Sequence, residues 1–550
     1  MMKKRYLPLL MGASMIVGML IVWFLYFLID NGRFGSERKG ENEEQLLEII
    51  DDYMSTVAPQ TKVNEILNIL DKAYVDSLNM KALEDSLSSS ILSHLDPHST
   101  YLSPEEVQKE AEHFSGHFSG VGMYFMVFED TIYVTGVMPN TPSARSGLMP
   151  GDRIVMIDDI AFTGDSIKSD DVAKRVRGEK DTEVKFTVKR LGVDELLNFH
   201  ITRANVPSNS VDAAFLLKDN IGIISINSFI KTTYTEFITS AMNLKEQGAN
   251  KIIVDLRDNG GGMLNEVVLM ANEFLKKDQE ILYIEGNKFP RKSFYADGQG
   301  ALKNMQLAVL INELSASASE IFAGAIQDND RGIVVGRRSF GKGLVQQSFS
   351  LKDGSEARVT IARYYIPSGR CIQKPYVKGD NSSYMEEFFN RFSSGEIYNN
   401  DSIKNDTTKI YRTAGGRIVY GGGGITPDFF VPLDTIPYSK ETSKIFNTGL
   451  PNKFIIRYIM NNVNNLRKYS DYKSLEKYID GENLEKQFTR YCAEKGNSIS
   501  VADMAKSREQ LIRYFKMQII RNRFLGDDNE FYRYLYSDDK IVQKAVKELK

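Results

Sequence analysis

The spacing of apolar and polar residues divides the chain into regions with different periodicities. Around residues 44–57, 61–75 and 80–95, apolar positions recur every three or four residues, which predicts amphipathic helices and makes 31–113 a helical N-terminal region. Over 114–204 the pattern changes to short alternating runs separated by turns that contain glycine and proline. That change predicts a small β-rich domain with one or two short helices.

Two further patterns follow in the rest of the chain. Over residues 205–439, runs typical of strands alternate with runs typical of helices, which predicts an α/β core with mostly parallel central strands. Within the core, the polar stretch 378–409 is predicted to be a surface insertion. Residues 440–550 have helical periodicity, in which Leu511, Phe515 and Ile519 recur at four-residue spacing on one predicted apolar face. The predicted fold class is therefore multidomain: an α/β core, a β-rich domain, and helical N- and C-terminal regions.

The N-terminal segment has the features of a membrane anchor. Lys3, Lys4 and Arg5 precede an uncharged run from Tyr6 to Ile29. As a helix this run would be ~36 Å long, enough to cross a hydrocarbon core of ~30 Å. No small-x-small cleavage site follows it, so we predict an uncleaved transmembrane helix over residues 1–30. The basic residues stay inside, which predicts a single-pass protein of the cell membrane with its remaining chain on the exported, periplasmic side.

Composition narrows the function classes only slightly. Hydrophobic residues make up 42% of the 550 positions and charged residues 26%, as in ordinary globular proteins. The formal net charge is −3 and no basic tract occurs outside the N-terminus, so we predict no nucleic-acid partner. Two cysteines, Cys371 and Cys492, do not make a disulfide framework, and neither has the spacing of a metal ligand.

The segment GRRSFGKG, residues 336–343, resembles a phosphate-binding loop but lacks two of its requirements. A nucleotide loop places serine or threonine after its lysine to bind Mg²⁺, and a helix begins there. Here Gly343 follows Lys342, and the next residues, LVQQSFSL, alternate as in a strand. A lysine in a tight turn between strands can instead project its amine into a cleft. Burial there lowers the pKa of lysine and favours the neutral state that a general base requires.

Two other turns carry the remaining groups that acyl transfer needs. In LINELSASASEIFAGAI, Ser315, Ser317 and Ser319 lie where a strand ends and a helix begins, so a hydroxyl can lie near free helix amides. The residues alone do not choose among the three serines, and a run of helix-capping serines is an alternative interpretation. In DLRDNGGG, the glycines at 260–262 allow close backbone approach and can direct amides toward an anion. A nucleophile, a base and oxyanion donors in one α/β region together indicate acyl transfer.

The histidines suggest two alternatives that the sequence does not favour. His94 and His98, like His113 and His117, are four residues apart, the spacing of helical metal ligands, but a proline and a glycine interrupt the two segments. A Ser-His-Asp triad is the second alternative, and no histidine lies near either reactive motif in the sequence. We predict no metal and no other cofactor.

Six motifs together identify a family. The chain resembles the carboxy-terminal processing, or tail-specific, serine peptidases. The resemblance extends over about residues 60–430, and its motifs occur in family order. The matching motifs are LDPHSTYL (95–102), FSGVGMYF (118–125), DLRDNGGG (255–262), SASASEIFAGAIQD (315–328), GRRSFGKGLVQ (336–346) and GGITPD (423–428). Together they are highly specific, although any one alone would be weak.

The resemblance implies a catalytic Ser-Lys dyad. Ser317, the first serine of SASE, would be the nucleophile, and Lys342, 25 residues later, would be the general base that takes its proton. Gln346 would form a hydrogen bond to the lysine amine and orient it. With Ser317 as the nucleophile, Ser315 and Ser319 become structural residues.

The same resemblance implies where the substrate binds. The oxyanion hole would use the amide of Ala318 and one amide of the glycine turn, from Gly261 or Gly262. Residues 114–204 would be a PDZ domain, to which a substrate tail adds as a strand. The loop that binds the tail carboxylate would consist of Gly120, Val121, Gly122 and Met123.

These expectations combine into one predicted function. The chain is expected to be a membrane-anchored serine endopeptidase that binds accessible C-terminal tails of exported proteins and cleaves or degrades those proteins. The alternative is a catalytically silent PDZ scaffold tethered to the membrane. That alternative predicts the loss of Ser317 or Lys342, and both residues are present. The sequence leaves open the physiological substrate, an adaptor protein as a partner, and a homo-oligomeric state.

Overall fold

The computed structural model describes residues 62–164, 167–434 and 439–550. The predicted membrane anchor and the helical pattern at 44–57 lie outside these residues. Within the described ranges, no helix combines the length and the apolar character needed to cross a bilayer. The chain divides into two compact units, and the boundary follows Glu84.

Two of the predicted N-terminal helices are present. They are α1 (Lys62–Ala73) and α2 (Met80–Ser93). Helix α1 has the predicted amphipathic spacing, yet none of its residues is buried. Helix α2 spans the boundary between the two units, and Leu92 in its last turn is buried.

The predicted β-rich domain is an antiparallel sheet with two short helices, which confirms the interpretation of its alternating pattern. The strand order is β3-β4-β5-β7-β8, and β6 pairs with β5, so β3 is an edge strand. Its core contains Ile132, Val134, Val172 and Phe186. The elements of this part of the chain are β1 (Thr100–Leu102), α3 (Pro104–Ser115), β2 (His117–Gly120), β3 (Met123–Phe128), β4 (Thr131–Val137), α4 (Pro142–Ser146), β5 (Arg153–Ile157), β6 (Ile160–Ala161), α5 (Ser169–Val176), β7 (Glu183–Lys189), β8 (Leu197–Thr202) and β9 (Ala204–Pro207).

The predicted α/β core is built on a six-stranded sheet in the order β10-β11-β12-β15-β16-β21. Strand β10 is antiparallel to β11 and the other neighbours are parallel, which confirms the predicted parallel centre. A second sheet contains β1, β13, β14, β17 and β18. The core elements are β10 (Val211–Leu216), β11 (Ile221–Ile226), α6 (Thr233–Glu246), β12 (Lys251–Asp255), α7 (Leu264–Asn272), β13 (Glu280–Glu285), β14 (Lys292–Tyr295), β15 (Gln306–Ile311), α8 (Ala318–Asp328), β16 (Ile333–Gly336), β17 (Leu344–Ser350), β18 (Glu356–Tyr365), α9 (Asn381–Ser393), a 3-10 turn (Asn400–Ser402), β19 (Ile410–Arg412), β20 (Ile418–Tyr420) and β21 (Phe429–Phe430).

The stretch predicted as a surface insertion is partly buried, which corrects that expectation. Helix α9 lies inside it, and Tyr384, Phe388 and Arg391 on this helix are buried. The rings of Tyr384 and Phe388 lie 5.9 and 5.8 Å from the ring of Phe340. The helix therefore packs on the GRRSFGKG turn, because its aromatic side chains gain more from burial than from exposure.

The predicted C-terminal helices form two groups. The helices are α10 (Lys440–Asn447), α11 (Leu450–Leu466), α12 (Tyr472–Gly481), α13 (Leu484–Glu494), α14 (Val501–Arg523), α15 (Asp528–Ser537) and α16 (Lys540–Glu548). Helices α10 to α14 share a core that includes Leu511, Phe515 and Ile519, the predicted apolar face. Helices α15 and α16 instead cover one face of the central sheet, and α6, α7 and α8 cover the other.

Candidate active site

Three turns meet at one edge of the central sheet. The glycine turn follows β12, the serine turn follows β15, and the GRRSFGKG turn begins at the end of β16. These strands are parallel neighbours in the order β12-β15-β16. Because the carboxyl ends of parallel strands meet at the same edge, the sheet brings the three predicted reactive motifs together.

The backbone of Ser317 has an unusual conformation, with φ of 55° and ψ of −113°. Few residues other than glycine have positive φ, and such strain is concentrated at functional sites. The Ser317 amide donates a hydrogen bond to Glu320 Oε2 at 2.9 Å. Ser317 is the N-cap of α8, so its side chain lies where that helix presents free amides.

The neighbouring serines have other roles. The Ser315 hydroxyl donates to the Leu256 carbonyl at 2.7 Å, and the Ser319 hydroxyl donates to the Asn259 carbonyl at 2.9 Å. Both side chains are fully buried, whereas Ser317 is partly exposed. Ser315 and Ser319 therefore tie the serine turn to the glycine turn, and Ser317 is the serine that a substrate can reach.

The glycine turn packs directly against the start of α8. A Cβ on Gly261, which has φ of +101°, would lie 2.8 Å from Ser317 Cβ and 2.9 Å from the Ala318 nitrogen. A Cβ on Gly262 would lie 2.1 Å from the Phe229 carbonyl oxygen. Only glycine fits at either position. The Gly261 amide donates to Asn259 Oδ1 at 2.8 Å, so it is already engaged inside its own turn.

Lys342 lies in a turn whose backbone is held on both sides. Its amide donates to Glu320 Oε2 at 2.9 Å, and its carbonyl accepts a hydrogen bond from the Tyr364 hydroxyl. Burial lowers the pKa of the Lys342 amine, and the positive charge of Arg358 lowers this pKa further. The negative charges of Glu320, Asp96 and Glu110 oppose that shift. The net result is a lowered pKa, which favours the neutral amine.

Glu320 connects the serine turn to the lysine turn. Its carboxylate is fully buried and accepts hydrogen bonds from the amides of Ser317, Gly341 and Lys342 at 2.7–2.9 Å, and from the Ser339 hydroxyl at 2.5 Å. Burial raises the pKa of Glu320 to about 7, against the lowering effect of these hydrogen bonds. Glu320 was not among the residues predicted for the site. The S-x-x-E spacing from Ser317 was the available signal, because a glutamate there can accept from the N-cap amide.

Gln346, the predicted orienting residue, lies on β17 close to a second network. Its Nε2 donates to Thr360 Oγ1 at 3.3 Å, and that hydroxyl donates to Asp96 Oδ1 at 2.9 Å. Among the described residues, the Gln346 side-chain amide thus contacts Thr360, and no hydrogen bond joins it to the Lys342 amine. Orientation of the amine by Gln346 therefore stays a prediction.

His98 lies close to the lysine turn, although the two are far apart in the sequence. Burial and the charge of Lys342 lower the pKa of His98 to about 4, so the imidazole is neutral near pH 7. Its Nε2 is 3.0 Å from the Tyr384 hydroxyl. Gln373 lies 3.4 Å from that hydroxyl and accepts from the Gly343 amide at 2.7 Å. These residues support the lysine turn. None of them was predicted as a site residue, although His98 lies in the LDPHSTYL motif.

The predicted tail-binding loop connects β2 to the edge strand β3. Val121 in this loop is buried in the domain core. The Gly122 carbonyl accepts from the Met138 amide at 3.0 Å and from Thr141 Oγ1 at 3.1 Å. The Val121 carbonyl accepts from the Ser143 amide at 2.8 Å. These bonds turn the loop carbonyls inward, which leaves the free edge of β3 beside the loop for an added strand.

The chain matches three protein-family models. Peptidase family S41 matches residues 220–383, which include Ser317 and Lys342. A PDZ domain matches residues 133–190, inside the β-rich domain. A family of unknown function (DUF8443) matches residues 442–526, which contain α11 to α14.

Curated relatives extend the similarity. A probable CtpA-like serine protease of Staphylococcus haemolyticus (strain JCSC1435) is 31% identical over 373 residues, which cover 63% of this chain and 74% of the relative. A protein of the same name from Staphylococcus aureus (strain MRSA252) is 34% identical over 321 residues, 58% of this chain and 64% of the relative. Among solved structures, a photosystem II D1 C-terminal processing protease matches with 24% identity and a TM-score of 0.34, and the match covers 68% of this chain and 93% of that chain. The sequence comparisons therefore carry the family assignment.

Proposed function

The chain belongs to peptidase family S41 and is a serine protease with a PDZ domain, and from this premise we propose that Ser317 is its nucleophile and Lys342 its general base. One observation carries the proposal. A single buried carboxylate, that of Glu320, accepts hydrogen bonds from the amides of both residues. The turn that holds the serine and the turn that holds the lysine are thus fixed to each other, as a nucleophile and its base must be.

The geometry supports the following sequence of steps. The neutral Lys342 amine accepts the Ser317 hydroxyl proton while Oγ forms a bond to the scissile carbonyl carbon. The resulting oxyanion accepts hydrogen bonds from the Ala318 amide and a glycine amide. Gly262 is the better donor of the two predicted glycines, because the Gly261 amide already donates to Asn259. Lys342 then gives its proton to the leaving amine, and water hydrolyses the acyl-enzyme.

Gln346 is proposed to hold the lysine amine during these steps. Its Nε2 already donates to Thr360, so its Oε1 can accept from the amine when the amine turns toward it. Thr360 is in turn fixed by Asp96, a residue of the LDPHSTYL motif. This chain of contacts explains how a motif far upstream in the sequence supports the base.

The proposed substrates are polypeptides with accessible C-terminal tails. PDZ domains bind such tails by strand addition, and β3 is an edge strand that begins at the loop of Gly120, Val121, Gly122 and Met123. We assign the tail carboxylate to the amides of this loop. The tail would then hold the rest of the substrate near the catalytic turns for endoproteolytic cleavage.

The proposed location is the cell membrane, with the catalytic part on the exported side. The support is the uncharged run from Tyr6 to Ile29 behind three basic residues. Fractionation of cells that express the full chain, with protease digestion of spheroplasts, tests this part. Full-length protein in the soluble fraction would contradict it.

The dyad is tested by labelling and cleavage. Residues 31–550, prepared as a soluble chain, are incubated with a fluorophosphonate probe and with an unfolded substrate that ends in apolar residues. Ser317→Ala is expected to lose both labelling and cleavage, because the nucleophile is gone. Lys342→Ala is expected to lower the rates of labelling and cleavage by at least ~100-fold, because the base is gone. Ser315→Ala is the matched control: it loosens the tie to the glycine turn but leaves the proposed nucleophile in place, so labelling should be slowed and not lost. Labelling of Ser317→Ala at the wild-type rate would contradict the assignment.

A further inference from the structure

The C-terminal helices touch the segment that leads into the glycine turn. Asp255 ends β12, and Arg257 lies two residues further along, before the turn at 260–262. Asp539 contacts Arg257 and Tyr536 contacts Asp255. Both partners belong to the end of α15 and the start of α16, outside the stretch that matches the peptidase family. This contact links a part of the chain without a catalytic motif to the predicted oxyanion site.

The contact is a closed network of charged groups. Arg257 donates from Nε and Nη2 to the Asp255 carboxylate at 2.6–3.0 Å, and from Nη1 to Asp539 Oδ2 at 2.7 Å. The Tyr536 hydroxyl donates to Asp255 Oδ2 at 2.8 Å. Asp255 and Tyr536 are buried, and the Arg257 and Asp539 side chains are 14% and 19% exposed. Charge-assisted hydrogen bonds in such a shielded place are strong and directional.

Asp539 is also bound to its own helix. Its Oδ1 accepts from the amides of Ile541 and Val542 at 2.8 and 3.0 Å, so this carboxylate caps α16 with one oxygen and holds Arg257 with the other. The position of the arginine therefore depends on the position of the whole helix.

Apolar packing fixes that helix on the sheet. Buried side chains of the helices and of the strands form one apolar cluster. The helical side chains are Tyr536, Ile541, Val542, Ala545 and Leu549. They pack against strand side chains that include Ala213, Phe215, Ile221, Ile223, Ile253, Ala308, Leu310 and Val335. The strands involved include β12, β15 and β16, from which the three catalytic turns start. Helices α15 and α16 therefore pack against the strands that lead into the three turns of the predicted site.

We propose that helices α15 and α16 are a positioning element of the active site, with Asp539 and Tyr536 as positioning residues for the glycine turn. This inference rests on the proposed function, in which that turn supplies an oxyanion donor. Arg257 fixes the start of the turn because its side chain is held by Asp255 of the strand and by Asp539 of the helix. A shift of the start of the turn would carry the glycine amides away from the Ala318 amide, which lies against Gly261.

Asp539→Asn separates the two roles of this side chain. The amide oxygen can still accept from the amides of α16 and preserve the cap, whereas the amide nitrogen cannot accept from Arg257. Asp434→Asn is the matched control, because it removes only the exposed ion pair of 2.9 Å between Asp434 and Lys540 of the same helix. Tyr536→Phe is a second, milder variant that retains the ring and removes its hydrogen bond to Asp255.

The experiment measures kcat and KM with a quenched peptide, the fluorophosphonate labelling rate, and Tm, all on the full chain in detergent. We expect Asp539→Asn to lower kcat and the labelling rate about tenfold or more, less than the full loss of an oxyanion donor, with KM changed by less than about threefold. Tyr536→Phe should show a smaller fall of the same kind. Asp539→Glu, which keeps the carboxylate, should recover part of kcat, and Asp434→Asn should match wild type.

The outcomes separate this inference from the dyad assignment. If wild type cleaves through Ser317 and both Asp539→Asn and Tyr536→Phe keep the wild-type kcat while Tm falls, the C-terminal helices only stabilise the fold and the inference is wrong. If Ser317→Ala cleaves as fast as wild type, the proposed dyad fails instead. A fall in kcat at an assay temperature well below the Tm of each variant supports the positioning role.

Discussion

Replacing Glu320 by glutamine tests whether one buried carboxylate sets the geometry between the proposed nucleophile and the proposed base. The substitution keeps the shape of the side chain and removes one acceptor oxygen. At pH 8, above its pKa of about 7, the carboxylate is mostly ionised, and its two oxygens accept four hydrogen bonds. Two of these come from the amides of Ser317 and Lys342, so any rearrangement around the glutamine acts on the catalytic turns.

The size of the effect follows from counting donors. A glutamine offers one acceptor oxygen, so at least one backbone amide of the two turns must face its NH₂ group. A buried donor without an acceptor costs about 1–3 kcal/mol. When the turns move to relieve that cost, the activation free energy rises by up to the same amount. The rate then falls about 5- to 150-fold, since each ~1.4 kcal/mol is a factor of ten. We therefore expect Glu320→Gln to lower kcat within this range at pH 8.

The assay compares kcat, KM and Tm of Glu320→Gln with those of Glu313→Gln. Glu313 is a suitable control because it is also a buried carboxylate near the serine turn, and it accepts hydrogen bonds from Arg337 at 2.7 and 3.3 Å. We expect Glu313→Gln to lower Tm and to keep kcat within about threefold, because its loss leaves the amides of Ser317 and Lys342 paired. Wild-type kcat in Glu320→Gln, together with a lowered Tm, would refute the geometric role of this carboxylate.

Two further comparisons test the oxyanion turn and the base. Gly261→Ala should lower kcat at least ~100-fold, because the new Cβ would lie 2.7 Å from a backbone oxygen of the serine turn. Gly260→Ala should retain kcat within about threefold, because no atom lies within 4 Å of its Cβ. Equal activity of the two variants would contradict the packing described here. The activity of wild type should rise with pH through the lowered pKa of Lys342, because the base must be neutral. Arg358→Gln removes a positive charge that lowers the pKa of Lys342, so the rise in activity should move to higher pH. Glu110→Gln removes a negative charge that raises this pKa, so the rise should move to lower pH. If the pH profile of kcat/KM is unchanged in both variants, Lys342 is not the titrating base.

Much of the fold could be predicted from local patterns. Alternation and helical spacing gave the strands and helices of the α/β core, because each such pattern reflects one buried face. Leu511, Phe515 and Ile519 are buried as predicted for the same reason. The expectation for residues 378–409 was wrong in part, because their polar composition concealed the aromatic face of α9. Composition describes the average of a segment, whereas burial differs from one side chain to the next.

The candidate site was less predictable, since its support comes from distant parts of the chain. The serine and lysine turns were visible as motifs, and the sheet brings those motifs to one edge. Glu320 left a local trace in its spacing from Ser317. His98 lies in the LDPHSTYL motif, but its contact with Tyr384 could not be predicted, because the contact joins residues 286 positions apart. Such long-range pairs depend on tertiary packing, which the periodicity of a single sequence does not encode.

The ion pair between Arg257 and Asp539 joins residues 282 positions apart. A ribosome adds about 5–20 residues per second, so at least ~15–60 s pass between the synthesis of the two partners. During that interval the peptidase core can begin to fold while the strand before its glycine turn still lacks the helix that holds it. Contacts of such high sequence separation also form slowly once the chain is complete. If α15 and α16 position the glycine turn as proposed, the site is completed only when these helices dock, so proteolytic activity should begin after residues 528–548 have been made.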